Sequence, residues 1–184
     1  MCLTIAGVDP SGGAGVLADI KTFSRLDGFG TGAITSLTFQ NTTGVFGAAS
    51  QSAETVYRQI KAVAEDMKIA AVKTGMLPTR EVIETVAKCI EEFRLKNIVV
   101  DPVVRSTSGF DLIDDEALDA LVEKLFPLAT VVTPNLAEAE RIVGRKISSL
   151  DELHSAGKKM LDLGASDVLI KGGHSIENAP EKAV

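Results

Sequence analysis

The chain has 184 residues, of which 45% are hydrophobic and only 4% aromatic, and its 25 acidic against 19 basic side chains give a net charge of −6. That length and hydrophobic content suit one domain with a core of its own and exclude a disordered chain. The lysines and arginines are scattered, which excludes a nucleic-acid partner but leaves open an anion held locally.

The first strand is predicted at 3–6, inside the apolar stretch CLTIAG, and runs into VDPSGGAG at 8–15. Glycines between a strand and a helix mark a place where backbone comes close to something. Asp9 and Ser11 sit in that loop, and Val16, Ile20 and Phe23 then repeat at helical spacing. A second strand, at 33–39, ends in Gln40 and Asn41. The stripe Val56, Ile60 and Val63 leads to a strand at 69–73, which ends in Lys73, Thr74, Gly75 and Met76. Another stripe, Val82, Val86 and Ile90, precedes a strand at 97–100 that ends at Asp101. Leu118, Leu121, Val122 and Leu125 predict a helix ahead of a strand at 130–133, which runs into TPNLAEAE with Thr133, Asn135 and Glu138. Leu153, Met160 and Leu161 belong to a further helix, opened by a capping box of Ser149 and Glu152 and stopped near Gly164. The last strand, at 168–171, ends in KGGH, with Lys171 and His174.

Several of these strands are apolar throughout, as expected where both faces of a sheet are covered. Their alternation with helices predicts an α/β fold, a single domain with a doubly wound, mostly parallel central sheet. No helix follows the last strand before the chain closes on HSIENAPEKAV, so that strand is expected at an edge, or the sheet is completed by further sequence. No apolar run approaches a membrane span, and no leader precedes the first strand, so a cytoplasmic protein without a membrane partner is expected. Cys2 and Cys89 lie far apart and outside any metal-ligand spacing, which predicts buried free thiols.

Ligands of an open parallel sheet bind beyond the carboxyl ends of its strands, and here every predicted strand ends in polar or charged residues. Gly13, Gly15 and Ala18 match the dinucleotide pattern G-x-G-x-x-A, but its ribose-binding acid is replaced by Gln40 and Asn41 at the end of the second strand. No Gly-Lys-Ser/Thr follows the glycines, so a P-loop is excluded too. What remains is a glycine turn that lets a small polar substrate lie against backbone, with Gln40 able to donate and accept toward it. Asp101, Asn135 and Glu138 suit a magnesium-assisted phosphate site, since magnesium takes oxygen ligands and reaches protein through one or two carboxylates. An equal reading makes Asn135 a helix cap and Glu138 a first-turn acid that complements the dipole. Lys171 is open in the same way, as a point charge for phosphate or a solvated strand-end lysine. His154 and His174 belong to no metal-ligand or nucleophile pattern, which excludes zinc and serine-hydrolase chemistry.

The segments LTIAGVDPSGGAGVLADIKTF, TSLTFQNTTGV, VKTGMLP, VVDPVV, VTPNLAEAE and VLIKGGH resemble, in order and spacing, the hydroxymethylpyrimidine/phosphomethylpyrimidine kinases of thiamine biosynthesis. These are members of the ribokinase-like superfamily, and the likeness runs through essentially the whole chain. The resemblance implies a three-layer α/β sandwich that phosphorylates 4-amino-5-hydroxymethyl-2-methylpyrimidine, and then its monophosphate, with ATP and Mg2+. It implies Gln40 as the pyrimidine-binding side chain, with Asp19, Met76, Val103 and the turn of Gly12, Gly13 and Gly15 enclosing the ring. Asn135 and Glu138 match the superfamily's N-x-x-E pattern for magnesium and phosphates, and Asp101 would support the same water shell. Thr133 and Asn135 would lie on the nucleotide side, and Lys171 would meet the ATP phosphates as the one catalytic residue assigned. A homodimer is implied as well. Two departures stand out. The family continues past KGGH into a glycine-rich G-T-G-C-like segment that forms the anion hole for the transferring phosphoryl group, so the domain is expected to be C-terminally incomplete. The stretch SGFDLI lacks the charged residue that usually follows its glycine. Pyridoxal kinase on the same fold, and a pyrimidine-binding domain without turnover, remain as alternatives.

Overall fold

A computed structural model describes residues 1–104 and 113–171. The strand β1 (Cys2–Val8) leads through the glycine loop to α1 (Gly15–Arg25) and on to β2 (Gly30–Asn41) and β3 (Gly44–Ser50). Then come α2 (Ala53–Asp66), β4 (Ala71–Thr74), α3 (Arg80–Glu92), β5 (Ile98–Val100) and α4 (Asp115–Ala120). The chain ends its described part with β6 (Val131–Val132), α5 (Leu136–Val143), α6 (Leu150–Asp162) and β7 (Asp167–Val168). These strands form one sheet in the order β3-β2-β1-β4-β5-β6-β7, parallel except for the β2–β3 pair. Among the described residues β7 lies at the edge, one of the two outcomes expected for the last strand.

The order fixes the layers. From β1 the chain winds one way to β2 and later the other way to β4 and beyond, and right-handed crossovers in opposite directions put their helices on opposite faces. Accordingly Leu3 and Ile5 of β1 share one buried cluster with Val56 and Ile60 of α2, Val86 and Ile90 of α3, and Met160 of α6. Val16 of α1 is buried outside that cluster, and Asp19 of the same helix takes a hydrogen bond from Thr4 on β1. The side chains at 98, 100 and 132 are buried on the large-cluster face, where they hold the short strands β5 and β6 in place.

Four expectations are corrected. The strand β3 is absent from the predicted elements, because GVFGAAS has little β-branched content; pairing with β2 makes it a strand, after Asn41 Oδ1 closes the turn by accepting from Thr43 N at 2.8 Å and Gly44 N at 3.2 Å. The helix expected across Leu118–Leu125 leaves α geometry at Leu121, passing through a π turn at Leu121–Leu125 and a 3-10 turn at Phe126–Leu128. At α6 the capping box is only half formed: Ser149 accepts from Glu152 N, while the Glu152 carboxylate takes Ser148 N instead, and Leu161 is exposed. Cys89 is buried, as expected, and burial pushes its thiol up to about 11, but Cys2 is only half-buried.

Two left-handed glycines separate backbone strain from collision. Gly144, which ends α5 at φ 75°, has open space where a Cβ would stand, whereas a Cβ on Gly15, at φ 59°, would overlap the Gly7 carbonyl oxygen. Gly144→Ala is expected to cost about 1–2 kcal/mol, the left-handed penalty alone. Gly15→Ala should cost clearly more, because the loop between β1 and α1 must shift. Urea denaturation of the two variants measures both; equal losses would contradict the close approach of Gly15 to β1.

Candidate active site

Because β1 sends the chain to opposite sides, a crevice opens beyond the carboxyl ends of β1 and β4. A cavity of about 250 Å³ occupies it. Its walls come from the glycine loop, the β2–β3 hairpin, the end of β4, and the segments that follow β5, β6 and β7.

Asp9 shapes the glycine loop. Its carboxylate is only 4% exposed and accepts from Ser11 N at 2.8 Å, Ser11 Oγ at 2.7 Å, Gly13 N at 3.1 Å and Ala14 N at 3.0 Å. The N-cap of α1 is Ala14, which has no side chain to cap with, so Asp9 captures the first free amides from the preceding loop. Burial alone would raise the Asp9 carboxyl, but the hydrogen bonds from Ser11, Gly13 and Ala14 outweigh it and hold the group below its ordinary value.

The hairpin supplies the neutral wall. Thr38 and Gln40, two residues apart on β2, present the same strand face, and Val45 of β3 pairs with Gln40. Opposite them Met76, nearly buried, is fixed through its main-chain oxygen, which accepts from Thr35 Oγ1 at 2.6 Å.

The far wall is charged. Asp101 accepts from Lys171 Nζ at 2.9 Å and Thr133 Oγ1 at 3.2 Å through Oδ1, and its Oδ2 lies 3.8 Å from Lys73 Nζ. Lys73 also donates to Asp19 Oδ2 at 3.1 Å, so two aspartates and two lysines alternate in a row that runs from Asp19 on α1 through Lys73 and Asp101 to Lys171. Lys171 is brought there by a bridge to Asn135 that extends the β6–β7 pairing. Asn135 and Glu138 form a reciprocal capping box: Asn135 Oδ1 accepts from Glu138 N at 2.9 Å, and Glu138 Oε2 accepts from Asn135 N at 2.7 Å. The helix-cap reading of this pair therefore holds, yet both residues also line the cavity. Burial pushes the Glu138 carboxyl above its ordinary value, against the opposing pull of the Asn135 amide and Lys171.

Of the expected residues, Gln40, Gly15, Met76 and Val103 line the cavity with Asp101, Asn135, Glu138 and Lys171. Four do not line it, and each is engaged otherwise. Asp19 faces Thr4 and Lys73, Gly12 accepts from Lys21 Nζ, Gly13 donates to Asp9, and Thr133 donates to Asp101. Asp19 reaches the cavity only through its ion pair with Lys73, which lines it. Thr38 and Val45 are wall residues that the sequence did not single out; Lys73, noted there as a charge at the end of an otherwise apolar strand, was given no role in the site. The SGFDLI stretch, except its last residue, and the residues after Lys171, with Gly172, Gly173 and His174, lie outside the described residues.

No cluster of three acidic, histidine or cysteine side chains exists among the described residues. The carboxylates of Asp101 and Glu138 nevertheless face one cavity, and each already accepts hydrogen bonds. That all-oxygen pair suits a divalent ion that keeps its waters, as magnesium does.

The same fold recurs in solved ribokinase-like kinases. The phosphomethylpyrimidine kinase of Clostridium difficile 630 superposes with a TM-score of 0.89 at 44% identity, over 97% of this chain and 77% of its own. The Staphylococcus aureus pyridoxal kinase in complex with AMP-PCP and pyridoxal gives 0.84 at 35% identity, over 94% of this chain and 62% of its own. Hydroxymethylpyrimidine/phosphomethylpyrimidine kinase of Bacillus subtilis (strain 168) is 49% identical over 176 residues, 96% of this chain and 65% of that protein. The family model for phosphomethylpyrimidine kinase matches residues 9–184, and the chain belongs to that family. It spans just under two thirds of the length of the Bacillus subtilis relative.

Asp9 gives the site a pH signature. A carboxyl held below 3.8 in the fold stabilises fully above the unfolded value, and that contribution is lost as pH falls through the folded value. Asp9→Ala leaves its amide donors without their acceptor and is expected to cost about 1–3 kcal/mol near neutral pH. Urea midpoints followed downward from about pH 5 should fall less steeply in Asp9→Ala than in the wild type. Parallel curves would contradict the role given to this carboxylate.

Proposed function

We propose that the cavity is the acceptor and phosphate site of a kinase acting on 4-amino-5-hydroxymethyl-2-methylpyrimidine and its monophosphate, with ATP as donor. The observation that carries the reading is the division of one cavity into a neutral wall of Gln40, Val45 and Met76 and a charged wall where Lys73 and Lys171 stand beside the carboxylates of Asp101 and Glu138. A flat heteroaromatic ring suits the first, and polyphosphate oxygens suit the second. The neighbour in complex with AMP-PCP and pyridoxal, a nucleotide analogue and a hydroxymethyl-bearing ring, supports a fold that takes both kinds of ligand.

In this reading Gln40 orients the ring through its carboxamide, and Met76, Val45 and Val103 shield it from water. Lys171, moving from Asp101 to the phosphates, offsets their charge, with Asn135 and Thr133 beside it. Asp101 and Glu138 would hold a hydrated Mg2+, which would supply positive charge against the phosphates being transferred. Phosphoryl transfer rests on positioning and electrostatics, which these residues supply from the ends of different strands. A single kinase domain, a homodimer and a cytoplasmic setting belong to the same proposal. Pyridoxal is the second acceptor to consider, because a pyridoxal kinase shares the fold at a TM-score of 0.84.

The test is ATP- and magnesium-dependent phosphorylation of the hydroxymethylpyrimidine by this chain, with pyridoxal in parallel and binding followed by calorimetry. Pyrimidine product supports the proposal, and binding without product supports a pyrimidine-binding domain that does not turn over. Preference for pyridoxal, or no binding of either ring, overturns it. Gln40→Ala is expected to weaken pyrimidine binding about five- to fiftyfold with little effect on ATP. Lys171→Ala should do the reverse, by about tenfold on ATP.

A further inference from the structure

One hydroxyl in the cavity wall touches two oxygens with a single hydrogen to give. Thr38 Oγ1 lies 2.8 Å from the Val8 carbonyl oxygen and 3.2 Å from the Gln40 side-chain oxygen. A carbonyl oxygen can only accept, and a threonine hydroxyl donates once, so the two contacts cannot both be hydrogen bonds as they stand. Turning the Gln40 carboxamide over resolves the conflict, since its two ends have nearly the same shape. Thr38 then donates to Val8 over the shorter distance and accepts from Gln40 Nε2. The Gln40 carboxamide has no other hydrogen-bond partner among the described residues, and the residue lines the cavity, so its carbonyl oxygen is left for a ligand.

We infer that Thr38 sets the acceptor preference of the site by holding the Gln40 carboxamide with its oxygen toward the ligand. Thr38 is a positioning residue that acts through Gln40. The reading rests on the proposed pyrimidine acceptor and adds a chemical requirement to it: the ring edge that meets Gln40 must offer an N–H donor where the carboxamide offers its oxygen. An exocyclic amine beside an unprotonated ring nitrogen satisfies this. A 4-oxo ring presents the opposite pattern there, an acceptor beside a ring N–H, and would need the carboxamide turned back. That rotation leaves the Thr38 hydroxyl facing an acceptor while its hydrogen is committed to Val8. The pairing of β2 with β3 fixes the backbone that carries Gln40: the register jumps from Gln40–Val45 to Phe39–Gly47, leaving Phe46 as the extra residue of a bulge.

The test compares binding of 4-amino-5-hydroxymethyl-2-methylpyrimidine and its 4-oxo analogue to the chain by calorimetry, in wild type, Thr38→Val and Thr38→Ser. Valine keeps the shape of threonine and removes the hydroxyl; serine keeps the hydroxyl. The wild type is expected to favour the amino compound by at least about tenfold, or about 1.4 kcal/mol. Thr38→Val should narrow that ratio to within about threefold, chiefly by gaining affinity for the oxo compound, and Thr38→Ser should restore it. An amino-to-oxo ratio unchanged in Thr38→Val, or absent in the wild type, overturns the inference while the pyrimidine reading stands. If the wild type binds neither compound, both fall. Where the valine variant is poorly folded, Thr38→Ala takes its place as the variant without the hydroxyl, with the same narrowing expected and an unchanged ratio overturning the inference.

Discussion

The strand β1 is paired on both sides, with β2 and with β4, and the rest of the molecule follows from that position. A doubly paired parallel strand has no free edge, so ligand chemistry is confined to what lies beyond its carboxyl end. The chain leaves β1 in one direction and returns in the other, and the two crossovers diverge there. Their divergence creates the crevice, sends α1 to one face and gathers the large core on the other. Every cavity residue is then delivered by a strand end or the first turn after it.

The polar groups of the crevice are tied down before any ligand arrives. Asp9 is saturated by loop donors, Glu138 by the cap of α5, and Asp101 by Lys171 and Thr133. The two buried carboxyls are shifted in opposite senses. Asp9, with donors aimed at it, keeps its charge at low pH, and Glu138, where burial dominates, gives it up sooner than an ordinary glutamate as pH falls. A rigid, charge-compensated wall of this kind suits a reaction that depends on placement rather than on a strong nucleophile from the protein.

The winding of the sheet was legible because it is written in apolar strands and helical stripes, such as Val82, Val86 and Ile90, that tertiary contacts reinforce. The hairpin partner β3 was not, since its glycines and alanines carry little intrinsic preference and it becomes a strand only against β2. The cavity residues on the glycine loop and after β5 and β6 were legible as polar groups at strand ends. The direction of Asp19 was not legible, because resemblance gives a residue's company but not its side-chain partners, and here those are Lys73 and Thr4. Thr38 escaped for a related reason: a threonine in the middle of a strand looks like β propensity until its hydroxyl is seen beside Gln40.

The most direct test of a single acceptor cavity at the β1–β4 crevice is a titration of the 15N-labelled chain with the hydroxymethylpyrimidine, followed by two-dimensional NMR. The amides of Gly15, Gly75 and Met76 and the side-chain amide of Gln40 should shift along one saturating curve, with α6 unchanged. Shifts centred on another part of the fold, or none at saturating ligand, would contradict the account.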